Sequence, residues 1–168
     1  MGLDALAPKI ASHDEKSFEA LYQKLNKLVY LVCLSVLKDE ALAMDLCQET
    51  FVTVWQRSHE FRGKGYKSWI LTIAKNKSLN YLKKSQRDVL DGQEFEIEDT
   101  SVSIEDKVAL KMAIEHLSTI DSQIVLLRIS GMKAREVATF LGLPRGTVSW
   151  RYKEAIRHLE KMMKEERK

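Results

Sequence analysis

Apolar residues recur along this chain at intervals of three and four, the spacing that places them on one side of a helix. Behind Asp14, a residue suited to capping, Phe18, Leu21, Leu25, Leu28, Val29 and Val32 form such a stripe and predict a first helix ending near Lys38. A second helix is expected from about Glu40 to His59, burying Leu42, Leu46, Val52 and Trp55. The stretch FRGKGY, with two glycines, interrupts the pattern. A third helix then starts near Ser68 and carries Trp69, Ile70, Ile73, Ala74 and Tyr81, with Trp69 at the head of the inner stripe. Farther on, periodicity predicts about four more helices. One spans roughly Ser103 to Leu117, one runs from an Asp121 cap to Ser130, one covers KAREVATFL, and a longer one follows Pro144. The expected fold class is all-α.

Composition agrees with that reading. Two Pro and seven Gly in 168 residues leave few helix breakers. Net charge is only +3, yet its distribution is uneven. Phe61 to Arg87 holds eight Lys or Arg and no Asp or Glu, whereas Asp88 to Asp106 holds eight acids and no base. The acidic block has Gly92 and little helical periodicity, so it reads as a flexible linker. Residues 1–87 and 107–168 are then two small helical domains, with the linker at 88–106.

The C-terminal domain carries the strongest local signal. In KAREVATFLGLPRGTVSWRYKEAIRHL, Ala138 is small where helices must approach closely. Gly142 permits the left-handed residue that ends a helix, and Pro144 suits the start of the next. Val148, Tyr152, Ala155 and Leu159 make a buried stripe, which leaves Arg145, Ser149, Trp150, Arg151, Lys153 and Arg157 on faces open to a ligand. A helix-turn-helix lays such a face in the DNA major groove, although a plain helical hairpin with a solvated basic face has the same pattern. In the second helix Asp45, Gln48, Glu49, Val52 and Gln56 share one side, an acidic ridge that suits either a basic protein partner or solvent. The basic segment combines cations for phosphates with Phe61, Tyr66, Trp69 and Tyr81, and rings can stack on bases. Trp69 is assigned to the core. Arg62, Lys64, Tyr66 and Lys67, on or beside the glycine loop, are the candidates for a base pocket.

Other chemistries lack support. Cys33 and Cys47 form no CxxC pair, and His13, His59, His116 and His158 are scattered, so no metal or cofactor is expected. No GxxxxGK[ST] or HExxH occurs, and no catalytic triad signature, so the chain is not expected to be an enzyme. MGLDALAPKI has neither the basic head nor the long apolar core of a signal peptide, and no apolar run is long enough to span a bilayer. The expected location is cytoplasmic, without membrane insertion.

Three motifs in order, DLCQETFVTVW, FRGKGYKSWILTIAKNKSLNYLKK and LGLPRGTVSWRYKEAIRHL, resemble the extracytoplasmic-function (ECF) sigma factors of bacterial RNA polymerase from about Lys16 to Lys164. The resemblance implies a role for each. Asp45, Gln48, Glu49, Phe51 and Gln56 would bind core RNA polymerase, with Phe51 shared between that contact and the core. Arg62, Lys64, Tyr66 and Lys67 would capture a base flipped from the −10 element. Asn76 would stand near the junction of double and single strand, and Lys75, Lys77, Asn80, Lys83, Lys84 and Arg87 would hold phosphates. Arg145, Thr147, Ser149, Trp150, Arg151, Lys153 and Arg157 would read the −35 duplex. An anti-sigma partner is also implied, as is passage of the acidic linker through a positively charged polymerase channel. LSTID replaces the usual LP that opens the C-terminal domain, Glu154 stands where the family commonly has a base, and Trp150 where a small residue is frequent. A stand-alone helix-turn-helix regulator is the alternative, and a protein-only adaptor a third. Neither explains both the acidic ridge and the acid-free segment.

Overall fold

The computed structural model describes residues 2–85, 111–113 and 115–167. Among them every regular element is helical, and they form two compact units. The all-α expectation is borne out. The acidic block and Arg87 lie outside the described residues, as does most of the helix expected from Ser103 to Leu117, of which only 111–113 and 115–117 are described.

The first unit comprises α1 (Leu3–Ala11), α2 (Glu15–Leu37), α3 (Glu40–Arg57), a 3-10 turn (Ser58–Glu60) and α4 (Tyr66–Ser85). Asp14 caps α2 by accepting from the Ser17 backbone N–H at 3.0 Å. Asp39 does the same for α3, accepting from Leu42 N–H at 3.0 Å. Each cap satisfies a donor that the first turn leaves open. From Leu31 to Leu37 every residue of α2 is buried. An all-round apolar helix belongs at the centre of a bundle, and α2 packs against α1, α3 and α4.

Several sequence expectations shift. Periodicity overlooked α1, a helix of nine residues with Pro8 inside it, yet Leu6, Ala7 and Ile10 are buried. On α3 the inner stripe is Ala43, Leu46, Cys47, Thr50, Phe51 and Val54; Val52 is 55% exposed, and Leu42 and Trp55 are half-buried. Thr50 reaches the core because its hydroxyl donates to the Leu46 carbonyl at 2.6 Å. α4 begins at Tyr66, not Ser68, and turns Tyr66, Ile70, Leu71, Ala74 and Ser78 inward, while Tyr81 is exposed.

In the second unit are α5 (Thr119–Ile129), α6 (Ala134–Leu141) and α7 (Arg145–Glu166). Ser118, not Asp121, caps α5. Asp121 N–H donates to the Ser118 oxygen at 3.2 Å, and the Ser118 hydroxyl donates to the Asp121 carboxylate at 2.9 Å. The Ser118 oxygen thus satisfies one open backbone donor of the first turn, and the Asp121 carboxylate holds the Ser118 hydroxyl in place. Met112, Ala113, Leu117, Val125, Ala155 and Leu159 form the core, with Tyr152, Ile156, Met162 and Met163 packed against it.

Candidate nucleic-acid interface

On α3 the ridge is exposed as expected: Asp45, Gln48, Glu49, Val52 and Gln56 all face away from the core. Met44 is 54% exposed beside them, so the surface mixes acid with two apolar side chains. Sequence reading missed Met44. Phe51 requires a correction. It is 3% exposed and packs edge-on against Phe18 and Tyr22, at ring-centroid distances of 6.3 and 4.8 Å, because it belongs to the core-facing stripe of α3.

The glycine loop joins the 3-10 turn to α4. Gly63 (φ +92°) and Gly65 (φ +89°) occupy backbone conformations that side chains disfavour, and open space lies where each Cβ would stand. Arg62 folds back so that one guanidinium nitrogen donates to the carbonyls of Phe61, at 3.0 Å, and His59. Lys64 is exposed and Lys67 half-buried. Tyr66 is the second correction. Its side chain is completely buried, and its hydroxyl lies 2.5 Å from that of Ser58. Burial pushes the phenol pKa up. The Tyr66 ring stacks on Trp69 (5.6 Å, 15°) and lies 4.9 Å from Phe61. Three of the four aromatic residues in the basic segment therefore pack on one another; Tyr66 is withdrawn from solvent, whereas Phe61 and Trp69 are half-buried. Tyr81, 37% exposed, is the one left outside.

Along α4, Asn76, Asn80, Lys83 and Lys84 are exposed, and Lys75 and Lys77 half-buried. Helical spacing brings Asn76, Asn80, Lys83 and Lys84 to one face. The 20 residues of α4 include no carboxylate. Glu49 of the ridge lies 4.0 Å from Lys77, so the two surfaces border one another.

In the second unit the helix-turn-helix forms as its residues dictate. Gly142 takes φ +68° at the end of α6, and Leu143 N–H returns to the Ala138 carbonyl at 3.0 Å. Val148, Ala155 and Leu159 are buried, with Tyr152 half-buried beneath the Arg128 guanidinium, 5.1 Å away. Arg145, Trp150, Lys153 and Arg157 are exposed, and Thr147 and Ser149 half-buried. Trp150, at 63%, is the most exposed large apolar residue among those described. Arg157 pairs with Glu154 at 3.2 Å along the same helix. Arg151 turns away from this face: its guanidinium donates to Asp121 of α5 at 2.9 Å. It sits three residues after Val148 and four before Ala155, at the edge of the buried stripe, and that places it beside α5.

No helix among the described residues is long and apolar enough to cross a membrane. Residues 21–88 match the family model for Sigma-70 region 2, and residues 107–159 that for Sigma-70, region 4. The ECF RNA polymerase sigma factor SigK of Mycobacterium tuberculosis H37Rv is 25% identical over 170 residues, spanning 94% of this chain and 91% of its own. Two solved structures share the fold. One is sigma factor RpoE in complex with the anti-sigma factor NepR from Bartonella quintana (TM-score 0.73, 24% identity, 89% of this chain and 98% of that one). The other is CnrH in complex with the cytosolic domain of CnrY (TM-score 0.67, 21% identity, 95% and 96%). With both sigma regions in order, each on its own helical unit, the chain belongs to the ECF sigma factors.

Proposed function

We propose that this protein joins core RNA polymerase and directs transcription from a specific set of promoters, opening the −10 element and reading the −35 element as duplex. The observation that carries the reading is the juxtaposition on one small bundle of two unlike surfaces. The α3 ridge offers Asp45, Gln48, Glu49 and Gln56 around exposed Met44 and Val52, and α4 alongside it has cations and amides with no acid among its 20 residues. A duplex-binding regulator has no use for the ridge.

In this reading the ridge grips polymerase, with charge complementarity setting orientation. Lys75, Lys77, Lys83 and Lys84 hold the phosphates of the melted strand, and Asn76 and Asn80 donate to and accept from its bases. Lys64 and Lys67 guide the strand to the glycine loop. In the second unit Arg145, Thr147, Ser149, Trp150, Lys153 and Arg157 enter the major groove from α7. Catalysis belongs to the polymerase, and the working location is the cytoplasm. CnrH and RpoE were each solved with a protein partner, RpoE with an anti-sigma factor, and a corresponding inhibitor for this chain follows by analogy.

Reconstituted transcription tests the proposal. Core polymerase with the chain should start transcripts that core alone does not. The double variant Asp45→Lys, Glu49→Lys should retain its helical circular dichroism and lose both polymerase association and those transcripts. Core binding without a change in start sites, or a double variant that binds as well as the parent, would refute it.

A further inference from the structure

The first turn of α4 is capped by a residue far away in the chain. Gly65 occupies the cap position: its carbonyl accepts from Trp69 N–H at 3.0 Å, the first bond of the helix. Its φ of +89° favours glycine, so no side chain at this position satisfies the open N–H groups there. Asp4 of α1 supplies the missing acceptor. Its carboxylate takes the Tyr66 N–H at 2.8 Å and the Gly65 N–H at 3.2 and 3.3 Å. Asp4 can do so because α1 is anchored, with Leu6, Ala7 and Ile10 buried where α1 packs on α2, α3, the 3-10 turn and α4.

The glycine loop is thus held at both ends by charged groups. Arg62 ties its entry to the carbonyls of His59 and Phe61, and Asp4 ties its exit. Packing does not fix the tip, since nothing lies within 4 Å of the position a Cβ would take on Gly63 or Gly65. A free helix N-terminus would attract a phosphate. Here the Gly65 and Tyr66 amides already serve a carboxylate, so neither is free to take a phosphate.

We propose that Asp4 is a positioning residue for −10 recognition: by capping α4 it holds the Gly63–Gly65 loop in the shape that receives an unstacked base, and it makes α1 a working part of promoter reading. The inference rests on the promoter-opening function proposed above. Asp4 touches no DNA in this scheme; it acts through the loop backbone.

The test uses holoenzyme made from core polymerase and the full chain. The probe is a forked fragment from a promoter the parent recognises, with the −10 non-template bases either intact or abasic. Asp4→Ala should reduce the preference for intact over abasic DNA roughly fivefold, the order expected for a lost cap. Binding to the abasic fork and to a −35 duplex should not change. Asp4→Asn, which keeps an acceptor oxygen, should recover most of the preference. Unaltered preference in Asp4→Ala would overturn the inference and leave the promoter-opening reading standing. An equal loss on the intact fork, the abasic fork and the −35 duplex would reduce Asp4 to a stabilising contact and also overturn it. If the parent itself fails to distinguish intact from abasic DNA, the −10 reading falls, and this inference falls with it.

Discussion

Tyr66 separates a base-stacking role from a core role in one substitution. Its hydroxyl lies 2.5 Å from the Ser58 oxygen, and Ser58 already donates its single hydrogen to the Val54 carbonyl at 2.6 Å. The phenol must therefore be the donor in the Tyr66–Ser58 bond. Tyr66→Phe removes that donor but leaves Ser58 bonded to Val54, at a cost of about 0.5–1.5 kcal/mol. Ser58→Ala should cost more, about 1–3 kcal/mol, because it strands a buried hydroxyl. The double variant removes donor and acceptor together, so its cost should fall short of the sum of the two. Tyr66→Ala should lose about 3–5 kcal/mol, because the ring fills the floor between Phe61 and Trp69. Urea unfolding followed by tryptophan fluorescence reads these values. In a Trp150→Phe background the remaining tryptophans, Trp55 and Trp69, both report on the first unit. Binding of Tyr66→Phe to forked DNA should match the parent. A Tyr66→Phe variant of parental stability that binds the fork less well would refute the buried assignment and return Tyr66 to the strand.

The other predictions concern charge. Lys153→Ala should weaken binding to a −35 duplex and reduce the slope of log affinity against log salt by about one, since Lys153 is an exposed cation on α7. Arg151→Ala and Asp121→Ala should each lower the stability of the second unit by about 0.2–1 kcal/mol and show coupling in a double-mutant cycle, whereas strict additivity would deny their 2.9 Å pair any energetic weight. Burial pushes the Cys47 thiol up to about 12 and raises that of Cys33 as well. Because the folded values exceed the unfolded one, this contribution is complete below about pH 8.5 and is lost as pH rises toward 12. Unfolding free energy should accordingly decline between pH 8.5 and 10, and a Cys47→Ala variant should decline less. An identical slope in the variant would place the titration elsewhere.

What the sequence made legible was mostly what neighbours in the chain determine. The Asp14 cap, the long apolar stripe of α2, the positive φ at Gly142 and the Val148–Leu159 stripe each depend on residues a few positions apart, and each was found where expected. Failures came where a polar residue stood in the core. Thr50 and Ser78 are buried because their hydroxyls donate to the carbonyls four residues earlier, Leu46 and Ala74. A stripe sought through apolar residues alone therefore rotates toward Val52 on α3 and toward Tyr81 on α4. Phe51, shared between core and surface, and Tyr66, credited to a surface, show a second limit: an aromatic residue beside charges looks equally apt for a partner or for a core, and only the packing of Phe18, Tyr22, Phe61 and Trp69 decides between them.

Two glycines show how far that limit reaches into function. Gly142 and Gly65 both take positive φ beside a helix end and both leave backbone groups in need of partners. At Gly142 the solution is local, for Leu143 N–H returns to Ala138 within the same turn, and the helix-turn-helix can be recognised from a short window. At Gly65 the φ favours a residue without a side chain, and the partner comes from Asp4, 61 positions earlier, on a helix that its own sequence hardly announces. The helix-turn-helix thus carries its geometry in its motif, whereas the glycine loop borrows its geometry from α1. A motif that matches in full across FRGKGYKSWI therefore specifies the loop's chemistry but not its shape. Transplanting that segment without α1 should carry over the cations and lose the base preference.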